Sequence, residues 1–138
     1  MTDQSSAGVL VDSNILLDLF TEDPTWATWS ETHLAEAFDA GQVVINPIIY
    51  AEISVAFKGI ETLDEALPPE LGRERLPWEA AFLAGKCFVE YRRRGGTRRS
   101  PLPDFYIGAH AALTGRALLT RDAKRYSTLL PTLTLISP

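Results

Sequence analysis

The sequence predicts an α/β fold: a three-layer α/β/α sandwich around a mostly parallel sheet of four or five short strands. Three observations predict it. Short apolar runs (VLV, VVI, ALLT, LTLI) recur along the chain, and the first shows none of the polar alternation of a half-exposed strand. Segments of helical periodicity separate these runs. No repeat, low-complexity tract or long linker divides the 138 residues, so one domain spanning 1–138 is expected.

VLVDS reads as the first buried strand, and Ile15 to Thr21 as a short helix interrupted by Asp23 and Pro24. Thr25 is placed to cap TWATWSETHLAEAFDA, where Trp26, Trp29, His33, Ala37 and Ala40 recur at helical spacing before Gly41. QVVIN is the second strand. Pro47 suits a helix start, where its missing N–H costs nothing, and PIIYAEISVAFKG follows as helix to Gly59. ETLDEALPPELGRERLP reads as one or two short helices broken by Pro68 and Pro69. WEAAFLAGKCFVEYRRR is an amphipathic helix ended by Gly95 and Gly96, with Cys87 expected in the core. GGTRRSPLP is a loop. DFYIGAHAALTG is a helix opened by Asp104, in which Gly108, Ala109, Ala111 and Ala112 permit close packing. ALLT is the third strand, RDAKRYSTLLP a turn and short helix, and LTLI the last strand.

Composition narrows the function. No apolar run reaches membrane-spanning length. The start, MTDQSSAG, carries no basic cluster of the secretory kind. One cysteine forms no internal disulfide, which suits a reducing, cytoplasmic setting. The net charge is −5 but unevenly spread: residues 1–84 hold 15 acidic and 3 basic side chains, net −12, whereas residues 85–126 hold 10 basic and 3 acidic, net +7. Such asymmetry marks either a phosphate-facing surface or a solvated helix end.

Ligands of open α/β sheets bind beyond the carboxyl ends of the strands, and those positions are acidic here. Asp12 ends the first strand, Glu52 lies in the helix after the second, Asp104 opens the small-residue helix and Asp122 follows ALLT. Singly, Asp12 and Asp104 also suit helix caps and Asp122 a turn. Glu52, between Ala51 and Ile53 in an apolar run, is harder to place otherwise. Four clustered carboxylates repel and raise one another's pKa, a conflict that a cation removes. All-oxygen ligands without cysteine or histidine suit Mg²⁺ or Mn²⁺ rather than zinc. His33 and His110 read as packing or surface residues.

The ordered set VDSNILL, PIIYAEI, PDFYIGAHA and LLTRDAKRY resembles the PIN domain, and within it the VapC-type toxins of bacterial toxin–antitoxin pairs, over Val9 to Ile136. The resemblance implies a PIN-like sandwich and metal-dependent hydrolysis of RNA phosphodiesters, giving a 5′-phosphate and a 3′-hydroxyl. It places the catalytic, metal-binding acids on Asp12, Glu52, Asp104 and Asp122, and supporting polar groups on Asn14 and Thr120. It further implies a cognate antitoxin that covers the early helices and blocks the site with a basic side chain, and contact with DNA only through that antitoxin. The apolar residues of the early helices suit the antitoxin or a homodimer contact. Arg98, Arg99, Arg121 and Lys124 flank Asp104 and Asp122 and are the candidates for carrying RNA phosphates. Two other readings stand beside this one: a PIN nuclease of RNA processing with no antitoxin, and a PIN-like RNA- or protein-binding module without catalysis. A Mg²⁺-dependent receiver domain would need clustered acids at the first strand, a lone acceptor aspartate at the end of a middle strand and a late lysine to match, a pattern the sequence does not supply.

Overall fold

The computed structural model describes residues 7–138. Residues 1–6, most of the segment read for a secretory signal, lie outside the described residues. In chain order the elements are β1 (Val9–Val11), α1 (Ser13–Phe20), α2 (Ala27–Ala40), β2 (Val43–Ile45), α3 (Pro47–Ser54), α4 (Ile60–Ala66), β3 (Gly72–Arg73), α5 (Trp78–Arg93), α6 (Pro103–Thr114), β4 (Ala117–Leu119), α7 (Ala123–Leu129) and β5 (Leu135–Ile136).

The five strands form one sheet, ordered β3-β2-β1-β4-β5, and every pairing is parallel. The apolar runs predicted this: β1 and β2 are buried at every residue, as strands covered on both faces must be. The chain moves outward from β1 through β2 to β3, then returns to β4 on the other side of β1. Right-handed crossovers therefore put α1 to α4 on one face and α5 to α7 on the other. Packing agrees, with α1 against α2 and α3, and α6 against α5 and α7. The order reverses between β1 and β4, and the crevice beyond their carboxyl ends is where this architecture binds ligands.

The main core lies between the sheet and its helices, around Leu10, Ile15, Leu16, Ile45, Ile49, Ile53, Ile107, Leu118 and Leu119. A smaller cluster joins Ala80 and Ala84 of α5 to Phe105 and Ala109 of α6, with Phe88 and Tyr91 set edge-on to Phe105. Close packing was expected of α6, and Gly108 shows why: a β-carbon there would lie 2.9 Å from Leu130 Cδ1 and 3.2 Å from the Tyr126 ring. The missing side chain lets Tyr126 of α7 lie against α6.

Several boundaries depart from the sequence reading. Helix α1 starts at Ser13 rather than Ile15, because Asp12 caps it. Thr25 does not cap α2; Asp23 accepts from the Thr25 and Trp26 amides at 2.8 Å and turns the chain instead. Helix α3 ends at Ser54, short of Gly59. Pro103 occupies the first position of α6, so Asp104 lies in its first turn rather than opening it. Strand β3 carries no apolar run and was read as part of a helical stretch; it is a two-residue edge strand held by β2. Cys87 is half-buried at the margin of the smaller cluster, not central.

Candidate functional site

The sheet ladder sets the first contact. The Asp12 amide continues the β1–β4 pairing by donating to the Leu119 carbonyl at 2.9 Å, which brings Asp12 beside Thr120. Asp12 is 2% exposed. Its Oδ1 accepts from the Ser13 amide at 2.8 Å, and its Oδ2 from the Thr120 hydroxyl at 2.8 Å and the Tyr126 hydroxyl at 2.9 Å. The cap reading and the site reading of Asp12 therefore hold together. Burial raises its pKa, three hydrogen bonds oppose the rise, and the Asp104 charge adds to it.

The acids form a chain in which each is joined to the next through one intermediary. Ser13 gives its hydroxyl to Glu52 Oε1 at 2.8 Å while its amide holds Asp12. Tyr126 lies 3.3 Å from Asp104 Oδ1 while donating to Asp12. Arg125 sets Nη1 3.5 Å from Asp104 and Nε 2.8 Å from Asp122. The order is thus Glu52, Ser13, Asp12, Tyr126, Asp104, Arg125, Asp122. Desolvation raises the Glu52 pKa; the Ser13 bond works against it, and the charges of Asp12 and Asp104 reinforce it. Burial pushes the Tyr126 pKa far up, helped by the Asp12 and Asp104 charges, so the phenol stays protonated.

Asn14 and Thr120 lie beside the acids. Thr120 accepts from Asn14 Nδ2 at 3.3 Å and from the Asp122 amide at 3.0 Å, and Asn14 Oδ1 accepts from the Arg121 amide at 3.2 Å. The turn after β4 is thereby pinned to α1. Asn46, which caps α3 through the Ile49 amide, donates from Nδ2 to His110 Nδ1 on α6 at 2.9 Å. The His110 proton then sits on Nε2, directed at Glu74 Oε1 at 2.8 Å. This buried strut ties the helix bearing Glu52 to the helix bearing Asp104. His110 is a packed, hydrogen-bonded residue, as read.

The basic candidates divide. Arg98, Arg99 and Lys124 are exposed. Arg121 is engaged: Nε and Nη2 meet the buried Asp18 carboxylate at 2.6 and 2.9 Å, and its guanidinium lies 5.3 Å from the Trp26 ring centre. Arg125 stands with Arg116, Arg121 and Lys124 among the basic residues around Asp122 that the sequence offers to RNA phosphates; Tyr126, Ser13 and Asp18 were not singled out from the sequence. Only Tyr126 left a signal, four positions after Asp122 on the same helix face.

Among the described residues, no three acidic, histidine or cysteine side chains converge tightly enough to form a ready cation cage. The donor chemistry nevertheless fits a hard divalent ion at Asp12 and Asp104. One phenolic proton serves two carboxylate oxygens, so one of them lacks a full donor. A neighbouring cleft of about 440 Å³, lined by Asn46, Tyr50, Arg73, Glu74 and Arg75 among others, contains none of the four acids.

A family model described as PIN domain matches residues 9–128. No curated protein matches the chain. Solved structures with the same fold include VapBC2 from Rickettsia felis bound to a DNA fragment from its promoter (TM-score 0.73, 19% identity, 94% of this chain and 97% of that one). DNA-bound VapBC from Salmonella typhimurium is similar at TM-score 0.70 and 21% identity, over 94% and 97% of the two chains. A toxin–antitoxin complex from Klebsiella pneumoniae is similar at TM-score 0.66 and 22% identity, over 94% and 96%.

Proposed function

The chain belongs to the PIN domain family, and from that premise we propose that it is a VapC-type toxin: a Mg²⁺- or Mn²⁺-dependent endoribonuclease held in check by a cognate antitoxin. The observation that carries the reading is the buried Asp12 carboxylate at the switch point of the sheet, sharing one phenolic proton with Asp104. A carboxylate kept in that position against its own desolvation has a task that a helix cap does not require.

Asp12 and Asp104 would hold the ion, with Asp122 at the outer edge and Glu52 on the far side of Ser13. The ion supplies Lewis acidity toward a phosphate oxygen and a bound water of lowered pKa. The chain's own groups do the rest. Ser13, Thr120 and Tyr126 fix both oxygens of Asp12. Glu52, half-buried with a raised pKa, accepts the proton of the attacking water or orients it. Arg125 balances Asp104 and Asp122 and sets an exposed cation beside them for an incoming phosphate. The products are a 5′-phosphate and a 3′-hydroxyl.

The antitoxin assignment rests on likeness to VapBC assemblies, two of which hold DNA. On this reading DNA contact belongs to the antitoxin, and the pair acts in the cytoplasm. Among the described residues no helix is long and apolar enough to cross a membrane.

One observation favours a second reading, a binding module without catalysis: the acids are chained through Ser13, Tyr126 and Arg125 rather than gathered around a point. Cleavage of end-labelled total RNA by the purified chain in Mg²⁺ or Mn²⁺ separates the two. Discrete cuts that vanish in EDTA and in Asp104→Asn support the nuclease. RNA bound but uncut supports the module.

A further inference from the structure

We propose that the cleft beyond the carboxyl ends of β2 and β3 is a subsite for one unpaired nucleotide of the RNA, whose base stacks on the Arg73 guanidinium. The inference rests on the RNA-substrate reading above and deepens it.

The cleft has a volume of about 440 Å³, the size of a small-molecule site. It shares the carboxyl edge of the sheet with the four acids. Ile45 and Arg73, which line it, are the last residues of their strands, and Ala51 in its wall precedes Glu52 on α3.

Tyr50, Asp64 and Arg73 fix one another at this place. Arg73 Nη2 and the Tyr50 hydroxyl both donate to Asp64 Oδ1, at 2.6 and 2.8 Å, and the guanidinium lies 4.8 Å from the Tyr50 ring centre. The Arg73 side chain is nonetheless 54% exposed. Ion pairs this open add little stability, so a flat cation held still in a cleft wall answers to something it meets from solvent. Guanidinium planes and aromatic rings are the surfaces on which proteins stack unpaired RNA bases. A plane fixed in advance loses little further freedom when the base arrives.

Two hydrogen-bonding positions remain for the edge of that base. Asn46 is 2% exposed; its Oδ1 caps α3 and one Nδ2 proton goes to His110. The second Nδ2 proton has no partner among the described residues. Arg116 holds the Glu74 carboxyl below its ordinary range, so Glu74 is an acceptor only. His110 and Arg116 fill its Oε1, and Arg116 takes one position on Oε2, which leaves one acceptor. A donor and an acceptor in one cleft suit a base edge, which carries both. Arg75 lines the same cleft, exposed and without an ion pair among the described residues, and so faces the nucleotide's phosphate. An apolar ligand would leave Asn46, Glu74 and Arg75 unused, and a bare anion would leave the plane and the acceptor unused.

Fluorescence anisotropy of a short single-stranded RNA in EDTA, where metal-dependent cutting is off, tests binding apart from catalysis. Arg73→Lys keeps the charge and loses the plane. The dissociation constant should rise at least about fivefold, the share of one stacked base, with melting and the salt slope unchanged. Tyr50→Ala, which frees the guanidinium, should weaken binding as well. An Arg73→Lys variant that binds RNA like the parent overturns the subsite even in a chain that cuts RNA in Mg²⁺, and leaves the cleft to a protein partner. Weakened binding by the variant of a chain that never cuts keeps the subsite and removes only the catalytic reading. A parent chain that binds no RNA overturns both. Tighter binding of 5′-AMP than of the oligonucleotide would assign the cleft to a free nucleotide and overturn the RNA subsite.

Discussion

The Tyr126 hydroxyl donates to the buried Asp12 carboxylate at 2.9 Å across 114 residues of sequence. It stands 3.3 Å from Asp104 as well. Burial and the two neighbouring charges keep the phenol protonated, so it acts as a fixed donor and not as a base. One proton thus holds together two carboxylates that would otherwise repel, and it does so before any cation arrives. The pair is therefore assembled by the fold rather than by the ion.

Tyr126→Phe removes that proton and leaves the ring's packing in place. Losing a hydrogen bond to a charged group costs about 1–3 kcal/mol. The expected outcome is a stability loss of that size in EDTA, most of it recovered in Mg²⁺, where a cation takes over the task. Urea midpoints of both chains with and without Mg²⁺ check this. An equal loss in both conditions would show that the hydroxyl matters only for packing.

Glu52 gives a pH signature. Its pKa is raised in the folded chain, chiefly by desolvation. A carboxyl whose folded pKa exceeds its unfolded one contributes stability that is present below the unfolded value and lost as pH rises through the folded one. Without metal, the ionised Glu52 therefore burdens the fold at pH 7. Glu52→Gln keeps an acceptor for Ser13 and removes the charge. In EDTA at pH 7 the variant should melt about 1–2 °C higher, a small gain because Glu52 is only half-buried and solvent screens it. The gain should disappear near pH 4 and reverse in Mg²⁺ at pH 7. A variant that melts lower than the parent in EDTA at pH 7 would contradict the sign.

The fold was legible because three-residue apolar strands leave a plain mark and because helices stand between them. The nearness of the four acids was legible for a related reason: Asp12 and Asp122 follow strands, Glu52 lies in the helix after β2, Asp104 lies at the start of the helix leading back into β4, and parallel topology brings those places to one edge. Strand β3 was not legible, since a two-residue edge strand of glycine and arginine needs no apolar pattern. Tyr126 looked like an ordinary core position, and most of its ring is one. Its hydroxyl acquires a role only when Gly108 lets α7 close on α6. Asp18 was hidden by sequence distance, because its partner lies 103 residues on. Nothing near Arg121 in sequence points to Asp18, so the sequence alone offers its guanidinium to a phosphate.

That pairing has a measurable strength. The Asp18 side chain is 3% exposed and receives Arg121 at Nε and Nη2, together with the Ser30 hydroxyl at 2.7 Å. Arg121→Ala leaves a buried carboxylate with the Ser30 hydroxyl as its remaining side-chain donor. Breaking one side of such a pair costs about 3–5 kcal/mol when both partners are buried, and less here because Arg121 is partly exposed. A loss of about 2–4 kcal/mol by urea denaturation is expected. Asp18→Asn with Arg121→Met should lose less than Arg121→Ala alone, because no unpaired charge remains. If Arg121 served RNA instead, Arg121→Ala would leave stability untouched and weaken RNA binding.

The exposed arginines of the loop before α6 make the complementary case. Arg98 and Arg99 are open to solvent and form no ion pair with any of the four acids among the described residues. They follow α5 and precede the helix that carries Asp104, so on the proposed nuclease reading RNA entering the site would pass near them. Replacing both with alanine should leave melting unchanged. It should weaken RNA binding across sequences alike, because phosphate contacts carry no base information. Each lost contact to a single strand lowers the slope of log affinity against log salt by about 0.7, so the pair should lower it by about 1.4. Fluorescence anisotropy with an Asp104→Asn background, expected to hold RNA without cutting it, gives that slope directly. An unchanged slope would remove the loop from the RNA path and leave Lys124 and Arg125, at the start of α7, to carry the phosphates.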